Sequence, residues 1–547
     1  MEFGRAAGFG FAALFPFRYT DDTVTLGVVL ALALQAHAHP AEVGPRSEVA
    51  LQIAQRPIPL RTGIGSAHDA VSTKSPRAQA FYDQGLACLH SFVWLEAARS
   101  FNEALRADPA LAMAHAGLSI AYTELNAPAA ARAALDRAKS LAAGASEHDR
   151  RHIAARALQA DAEQAAGESP RLIDYRAALD QALTSFPDDE EFWLLRGLAE
   201  SPDPANRGQG SVAASVRYYQ KALALAPAHL AAHHYLTHAY ENSGQVTQAL
   251  AEGAAYAKMA PAVPHARHMH AHNLRRTGRI AEAIDEFRAA DTLAAEYFRA
   301  EAVPVEYDWH YQHNLDLLAS SYQYVGQMAA AEALFARSFG IRSSLVVQEF
   351  NKRAWPEYLV ARGRAREALD AALVLAAHRS PVVSAIGHIE AGRAQLALGR
   401  FKEAADESNA ALRLMRGAPE GAGLAATPLK ALQGEFFLRT GKRDQARPLL
   451  EQVAREVRAA PGPDAWTQAL FTLEAIARAA REAGDWDLAR WAAAEMVDHD
   501  AQYAGSHLAL ALVAEHAGDT KTAAAERSLV EQYWRNADRG LPELKKQ

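Results

Sequence analysis

The chain has 547 residues, half of them hydrophobic, with 57 basic against 64 acidic side chains and a formal charge of −7. A mildly acidic chain is a poor partner for nucleic acid, whose binding runs on clustered lysine and arginine. The only cysteine, Cys88, excludes an internal disulfide and stands at a core-facing position, where it reads as a small buried hydrophobe.

The N-terminus carries an apolar run, Val24 to Leu34, too short to span a bilayer. It matches the apolar centre of a secretory signal, with Ala36-His37-Ala38 as a small-x-small cleavage site. Residues 1–39 therefore read as a targeting segment of a periplasmic or secreted protein. The basic front end is thin, with only Arg5 and Arg18, so the alternative is a loosely packed N-terminus on a cytoplasmic protein. Residues 40–75 hold Pro40, Pro45, Pro57, Pro59, Gly63 and Gly65 and read as an extended linker. Residues 541–547 read as a frayed polar tail.

From Ser75 the pattern is helical. Gly85, Cys88, Ala97, Phe101, Ala104 and Pro109 mark one helix–turn–helix unit, with small residues where helices touch and large ones between them. Residues 140–212 are less regular: Ser146 reads as a helix N-cap followed by acids, and 201–210 as a surface loop. Register then returns. Turn glycines follow at Gly244, Gly278, Gly326, Gly363, Gly399, Gly441, Gly484 and Gly518, spaced 34 to 48 residues apart. A helix pair recurring at about 34 residues is the tetratricopeptide period. The expectation is an all-α tetratricopeptide-repeat superhelix (an α-solenoid) over 76–540, of roughly ten or eleven helix pairs.

Particular stretches carry a further resemblance. His68-Asp69-Ala70-Val71-Ser72, Gly85 to Phe92, Ala112 to Gly117, His268-Met269-His270-Ala271-His272 and His313-Asn314 resemble motifs of a large group of bacterial tetratricopeptide proteins. By that resemblance His68, His90, His268, His272 and His313 fall on the group's histidines. Asp69 and Ala70 stand where the group has Phe-Pro, His115 where it has an aromatic, and His270 where it has proline. The resemblance implies a fold and positions, and no reaction.

The histidines carry the functional expectation. His234 and His238 are four apart, as are His268 and His272, and the two pairs are separated by one 34-residue period. Residues four apart share a helix face, and two imidazoles there can reach one metal ion. In the repeat family the first helix of each pair lines the concave groove through positions 2, 5, 9 and 12. That puts His234 and His268 at 5, His238 and His272 at 9, His313 at 2 and Asp316 at 5. Nitrogen donors of this kind suit copper, zinc, iron or nickel, and Asp316 would complete a two-His–one-carboxylate set for ferrous iron. Glu241, His310, Arg353 and Glu357 continue the polar groove. His115, His233, His265 and His270 read as pointing sideways or backward. His68 and His90 form a second cluster if the linker folds back. Arg275, Arg276 and Arg279 read as a solvated helix end.

No Gly-x-Ser-x-Gly elbow, phosphate loop or His-Glu-x-x-His motif is present. Two readings follow. In the first, the groove is a scaffold that binds a peptide, a protein partner or a small ligand. In the second, His234, His238, His268, His272 and His313 hold a transition metal (copper, iron or zinc) for a metal-dependent oxidation. A third has the groove filled by the chain's own N-terminal linker.

Overall fold

The computed structural model describes residues 45–163, 170–201, 211–343, 345–418, 422–460 and 465–544. The targeting segment read at 1–39 lies outside them. Among the described residues every regular element is helical. A helix α1 (Pro45–Ala54) comes first. It is followed by α2 (Pro76–His90), α3 (Trp94–Ala107), α4 (Ala112–Glu124), α5 (Pro128–Leu141), α6 (Glu147–Ala162), α7 (Pro170–Ser185), α8 (Glu190–Glu200) and α9 (Val212–Leu225). The middle holds α10 (Leu230–Asn242), α11 (Val246–Met259), α12 (Pro264–Arg276), α13 (Ile280–Glu301), α14 (Tyr311–Tyr324) and α15 (Met328–Gly340). A short α16 (Val346–Asn351) precedes α17 (Ala354–Ala361), α18 (Ala365–Ala376), α19 (Pro381–Ala397), α20 (Phe401–Gly417), α21 (Ala422–Arg439) and α22 (Arg443–Ala459). The chain ends with α23 (Ala465–Glu482), α24 (Trp486–His499), α25 (Ala504–His516) and α26 (Thr520–Tyr533).

Helices pack as consecutive pairs from α2–α3 onward, each pair against the next, which is an all-α repeat superhelix. The pairs α6–α7 and α8–α9 occupy 147–225, where the small-large-small register is weak. Counting from register alone therefore runs low. All eight predicted turn glycines, Gly244 to Gly518, adopt φ between 67° and 78°, the left-handed region that ends one helix and starts the next. In the first two pairs Phe92 (φ 58°) and Asn126 (φ 56°) take that place.

The interlock inside a pair shows at Phe101 of α3. A Cβ added at Gly85 of α2 would lie 2.6 Å from its ring, and one at Gly117 of α4 2.5 Å. Two glycines thus admit one buried phenylalanine between three helices.

The solenoid does not stay open, because residues far apart in sequence close it twice. In the first closure Trp309 Nε1 donates to the Phe92 carbonyl at 2.9 Å, and Ala262 N donates to the Gly63 carbonyl at 2.8 Å. Buried Arg99 pairs with Glu301 at 2.8 Å. One apolar cluster joins Ile53, Phe81 and Phe101 to Leu230, Tyr256 and Val303. In the second, Trp534 Nε1 donates to the Tyr324 carbonyl at 2.9 Å, and the Tyr324 hydroxyl donates to Asp500 at 3.0 Å.

Two expectations about the ends need correction. Residues 40–75 are not wholly an extended linker: 45–54 form α1, and Ile53, Ala54 and Ile58 are buried against the first repeats. Burial of those side chains holds the segment between the arms of the first closure. The tail is docked at its start, with Leu541 buried and Glu543 paired with Arg362. Residues 545–547 lie outside the described set.

Phe101→Ala should cost about 3–5 kcal/mol, the usual range for emptying a buried aromatic site. Urea denaturation followed by helical circular dichroism checks this, and an unmoved midpoint would contradict the interlock.

Candidate metal centre

Three neighbouring helices bring histidines to one interior region. α10 supplies His234 and His238, α12 supplies His265, His268 and His272, and α14 with its leading turn supplies His310 and His313. They gather as two triads. In the first, His234 Nε2 lies 3.1 Å from His238 Nε2 and 2.9 Å from His265 Nε2. In the second, His268, His272 and His313 bring one ring nitrogen each to within 4.8 Å of one another. Their ring centroids are 4.2 Å apart for His268–His272 and 4.9 Å for His268–His313. The triads adjoin: His265 and His268 rings are 6.1 Å apart, and His310 stands between them at 4.7 and 4.0 Å.

The predicted convergence is thus present in a different grouping. His268, His272 and His313 meet, whereas His238 joins His234 and a residue the sequence reading set aside. His265 does not point backward. It heads α12 one turn before His268, on the same inward face. The register that placed His268 at position 5 puts His265 at position 2, so the signal was available. Asp316 is not among the converging donors of the described residues. One turn beyond His313 on α14, it lines a cavity that His313 also lines.

Fixed contacts orient the rings. His234 Nδ1 donates to the His90 carbonyl at 2.6 Å, which turns Nε2 toward the triad. His268 Nδ1 donates to Asn314 Oδ1 at 2.9 Å. The amide of Asn314 is held the right way round because its Nδ2 donates to the Phe287 carbonyl at 3.1 Å. The lone pair of His268 therefore sits on Nε2, which is buried and makes no hydrogen bond. His265 Nδ1 and His310 Nε2 are likewise buried without a hydrogen bond. A buried polar atom left so costs about 1–3 kcal/mol. Glu241, itself buried, approaches His272 Nδ1 at 3.5 Å, a carboxylate behind an imidazole. Burial pushes the Glu241 carboxyl up, against the pull of Arg276.

Aromatic rings wall the first triad. Tyr256 stacks on His234 at 4.6 Å, and Phe92 meets His234 at 4.5 Å and His265 at 5.5 Å. Phe92 keeps a left-handed backbone at a turn where later repeats use glycine. That conformation costs a side-chain-bearing residue roughly 1–2 kcal/mol. The same residue places its ring over the histidines.

His90 acts through its carbonyl, not as a ring in either triad. Its ring bonds Glu191 at 3.0 Å and the Tyr235 hydroxyl at 3.0 Å. Burial opposes charge on Glu191, yet His90 and His229 hold its carboxyl well below the usual range. His68 does not fold back onto His90. It is exposed and bonds Asp83 at 2.8 Å. Arg353 and Glu357 pair at 3.8 Å.

A cavity of about 240 Å³ opens beside the second triad, with His313 and Asp316 at one end and Arg353, Glu357, Glu390 and Arg393 in its wall. Glu390 is fully buried and its carboxyl is pushed up to about 8, chiefly by burial. Phe335, Phe350 and Phe471 give apolar surface. No described helix is long and apolar enough to cross a membrane.

Comparisons with known proteins add little to this geometry. No protein-family model matches the chain, and no curated protein does. Among solved structures, yeast Tom70 aligns at 12% identity and TM-score 0.37 over 77% of this chain and 89% of that one. The human IFIT1 dimer with m7Gppp-AAAA aligns at 12% identity and TM-score 0.36 over 94% of this chain and 100% of that one. The APC/C hetero-tetramer Cut9–Hcn1 aligns at 13% identity and TM-score 0.28, covering 86% and 96%. The repeat fold accordingly rests on the helix pairs themselves.

Proposed function

We propose that this helical-repeat scaffold is a metalloprotein that holds transition-metal ions at the two triads His234–His238–His265 and His268–His272–His313. The observation that carries the reading is the buried, hydrogen-bond-free Nε2 of His268, aimed by Asn314 into a group of three imidazoles. The donors are imidazole nitrogens with no carboxylate or thiolate among them. That set suits copper first, since affinity for nitrogen sites peaks there, and zinc or iron after it. Three protein ligands per ion leave an open position, and copper so held supplies electron transfer and small-molecule binding. The chain's own residues would do the rest: Asn314, Glu241 and the His90 carbonyl orient ligands, and Phe92 and Tyr256 exclude water. The cavity at His313 would admit a small ligand.

A scaffold reading has its own support in the cavity wall. Arg353, Arg393, Glu357 and Glu390 form a charged lining that would bind a small polar molecule without any metal. A cavity of about 240 Å³ favours such a ligand over an extended peptide.

Untagged protein should carry copper after reconstitution, up to two equivalents per chain by mass spectrometry. His268→Ala/His272→Ala should remove one equivalent and His234→Ala/His238→Ala the other, at unchanged helicity. Protein that holds no metal after reconstitution sinks the proposal and leaves the scaffold reading.

A second test uses protonation. Burial, and then crowding by His313 and His272, lowers His310 well below its ordinary value of 6.5. As pH falls through 6.5 the unfolded chain takes a proton on this ring that the folded protein refuses. Stability contributed by the neutral ring is therefore lost on acidification, by up to about 1.4 kcal/mol per pH unit. In chelator-treated protein, His310→Phe should gain on wild type by about 1.4 kcal/mol between pH of about 7.5 and about 5.5. Urea titrations at the two pH values measure this, and a constant difference would show that the ring is not held neutral.

A further inference from the structure

A second kind of donor cluster lies on the other side of His90. Asp69, His148, His152 and Asp189 each bring one ligand atom to within 4.8 Å of the others. They come from three segments: the stretch before α2, the first turns of α6, and the cap of α8. His148 and His152 are four apart on one face of α6. His148 Nε2 lies 2.5 Å from Asp189 Oδ2 and 3.5 Å from Asp69 Oδ1. His152 Nε2 points at Asp189 Oδ2 from 3.9 Å. That nitrogen is buried and makes no hydrogen bond, and its residue is only 8% exposed.

Each donor is aimed by a second contact. Asp189 Oδ1 accepts the Phe192 N–H at 2.9 Å as the N-cap of α8, which leaves Oδ2 facing the histidines. The His152 ring stacks on Phe192 at 3.8 Å and 13°. His148 Nδ1 meets Asp149 Oδ1 at 3.3 Å, and Asp149 Oδ2 in turn accepts the Ser72 N–H at 2.9 Å. The Tyr82 hydroxyl donates to Asp69 Oδ2 at 3.4 Å. Backing contacts of this kind fix ring and carboxylate directions in metal sites.

We propose that Asp69, His148, His152 and Asp189 bind one Zn²⁺ ion in a closed, four-ligand site separate from the histidine triads. A tetrahedral ion with bonds of about 2.1 Å holds its donors roughly 3.4 Å apart. The contacts of 2.5, 3.5 and 3.9 Å bracket that figure. Two carboxylates and two neutral imidazoles balance the two positive charges of the ion, so the occupied site is neutral, as burial favours. With all four positions filled by protein the role is structural. The ion ties the segment before α2 to α6 and α8. Glu191, two residues beyond Asp189, bonds the ring of His90, whose carbonyl orients His234. The zinc site would thereby brace the first triad from behind without belonging to it.

The experiment strips the full chain with a chelator, reconstitutes it with excess Zn²⁺, removes unbound metal and counts zinc per chain. His148→Ala/His152→Ala should hold one equivalent fewer than wild type. Asp69→Asn, nearly unchanged in volume, should weaken the tightest zinc-dependent rise in melting temperature by tenfold or more in zinc concentration. The triad variant His268→Ala/His272→Ala should keep that rise. If the triads bind nothing, wild type still holds one zinc and the His148→Ala/His152→Ala variant none, so the two proposals fail separately. Equal zinc counts and equal zinc-dependent stabilisation in wild type and both variants overturn the inference. Should the double variant fail to fold, Asp69→Asn decides alone.

Discussion

Keeping imidazole rings neutral in a dry interior is the constraint on which the rest of this molecule depends. A histidine on an open groove wall is solvated and titrates near its ordinary pKa. Here His234, His265, His268 and His310 are all pushed well below it, with burial as the first cause and neighbouring imidazoles next. Those two causes reinforce one another. Protonating one ring would place a cation among several others at centroid distances of 4 to 6 Å in a poorly screened site. The rings therefore stay neutral together and keep their lone pairs. That is the state a metal requires and the state in which unpartnered nitrogens are most costly.

Such an interior needs a solenoid that closes. A tetratricopeptide array ordinarily grows by stacking neighbours, and nothing in stacking seals its concave face. Closure here is the work of a few long-range contacts. The indole of Trp309 on the Phe92 carbonyl ties the third histidine helix to the first repeat at the point where Phe92 bends through a left-handed turn. The same residue thus joins the arms and roofs the triad. That accounts for phenylalanine where later repeats place glycine. The second closure, at Tyr324, Asp500 and Trp534, bounds the half of the molecule that holds the cavity.

How much of this was legible in the sequence follows from what kind of information each feature uses. Helix pairing is local. Gly244 to Gly518 announce their turns because only glycine takes that backbone without strain, and every one of them does so. The His-x-x-x-His pairs are local too, and their one-period separation places them on adjacent helices. His265 was equally local and was missed by departing from the register that located its neighbours. Asp316 was placed by register on the groove face, yet facing inward did not bring it to the triads. Convergence depends on how far each helix is rotated and shifted against the next, which spacing does not encode. His68 and His90 looked alike as family histidines and separate completely. One is exposed beside Asp83, the other buried under Glu191. Of the Asp69 cluster only the four-residue spacing of His148 and His152 was legible, since Asp69 and Asp189 lie 79 and 41 residues from His148 and join it only when the segment before α2 packs down.

The two donor clusters also differ in charge. All-imidazole triads carry no charge of their own, so an ion there brings net positive charge into the interior. On the proposed reading that charge would be met by outlying acids such as Glu241 and would attract a small anion or polar ligand through the cavity at His313. The Asp69–His148–His152–Asp189 cluster carries two carboxylates, which would cancel the charge of a divalent ion within its first contacts. On the proposed readings, electrostatics would assign the all-imidazole sites to reactivity and the charge-balanced site to holding the scaffold together. The shared element is His90, which links the two through opposite faces: its ring is fixed by Glu191 on the α8 side, and its carbonyl fixes His234 on the other. A displacement of α8 would reach the first triad through His90, and also through His229, the N-cap of α10, which lies 3.6 Å from Glu191. The geometry of the histidine-lined interior is therefore set partly by packing outside it.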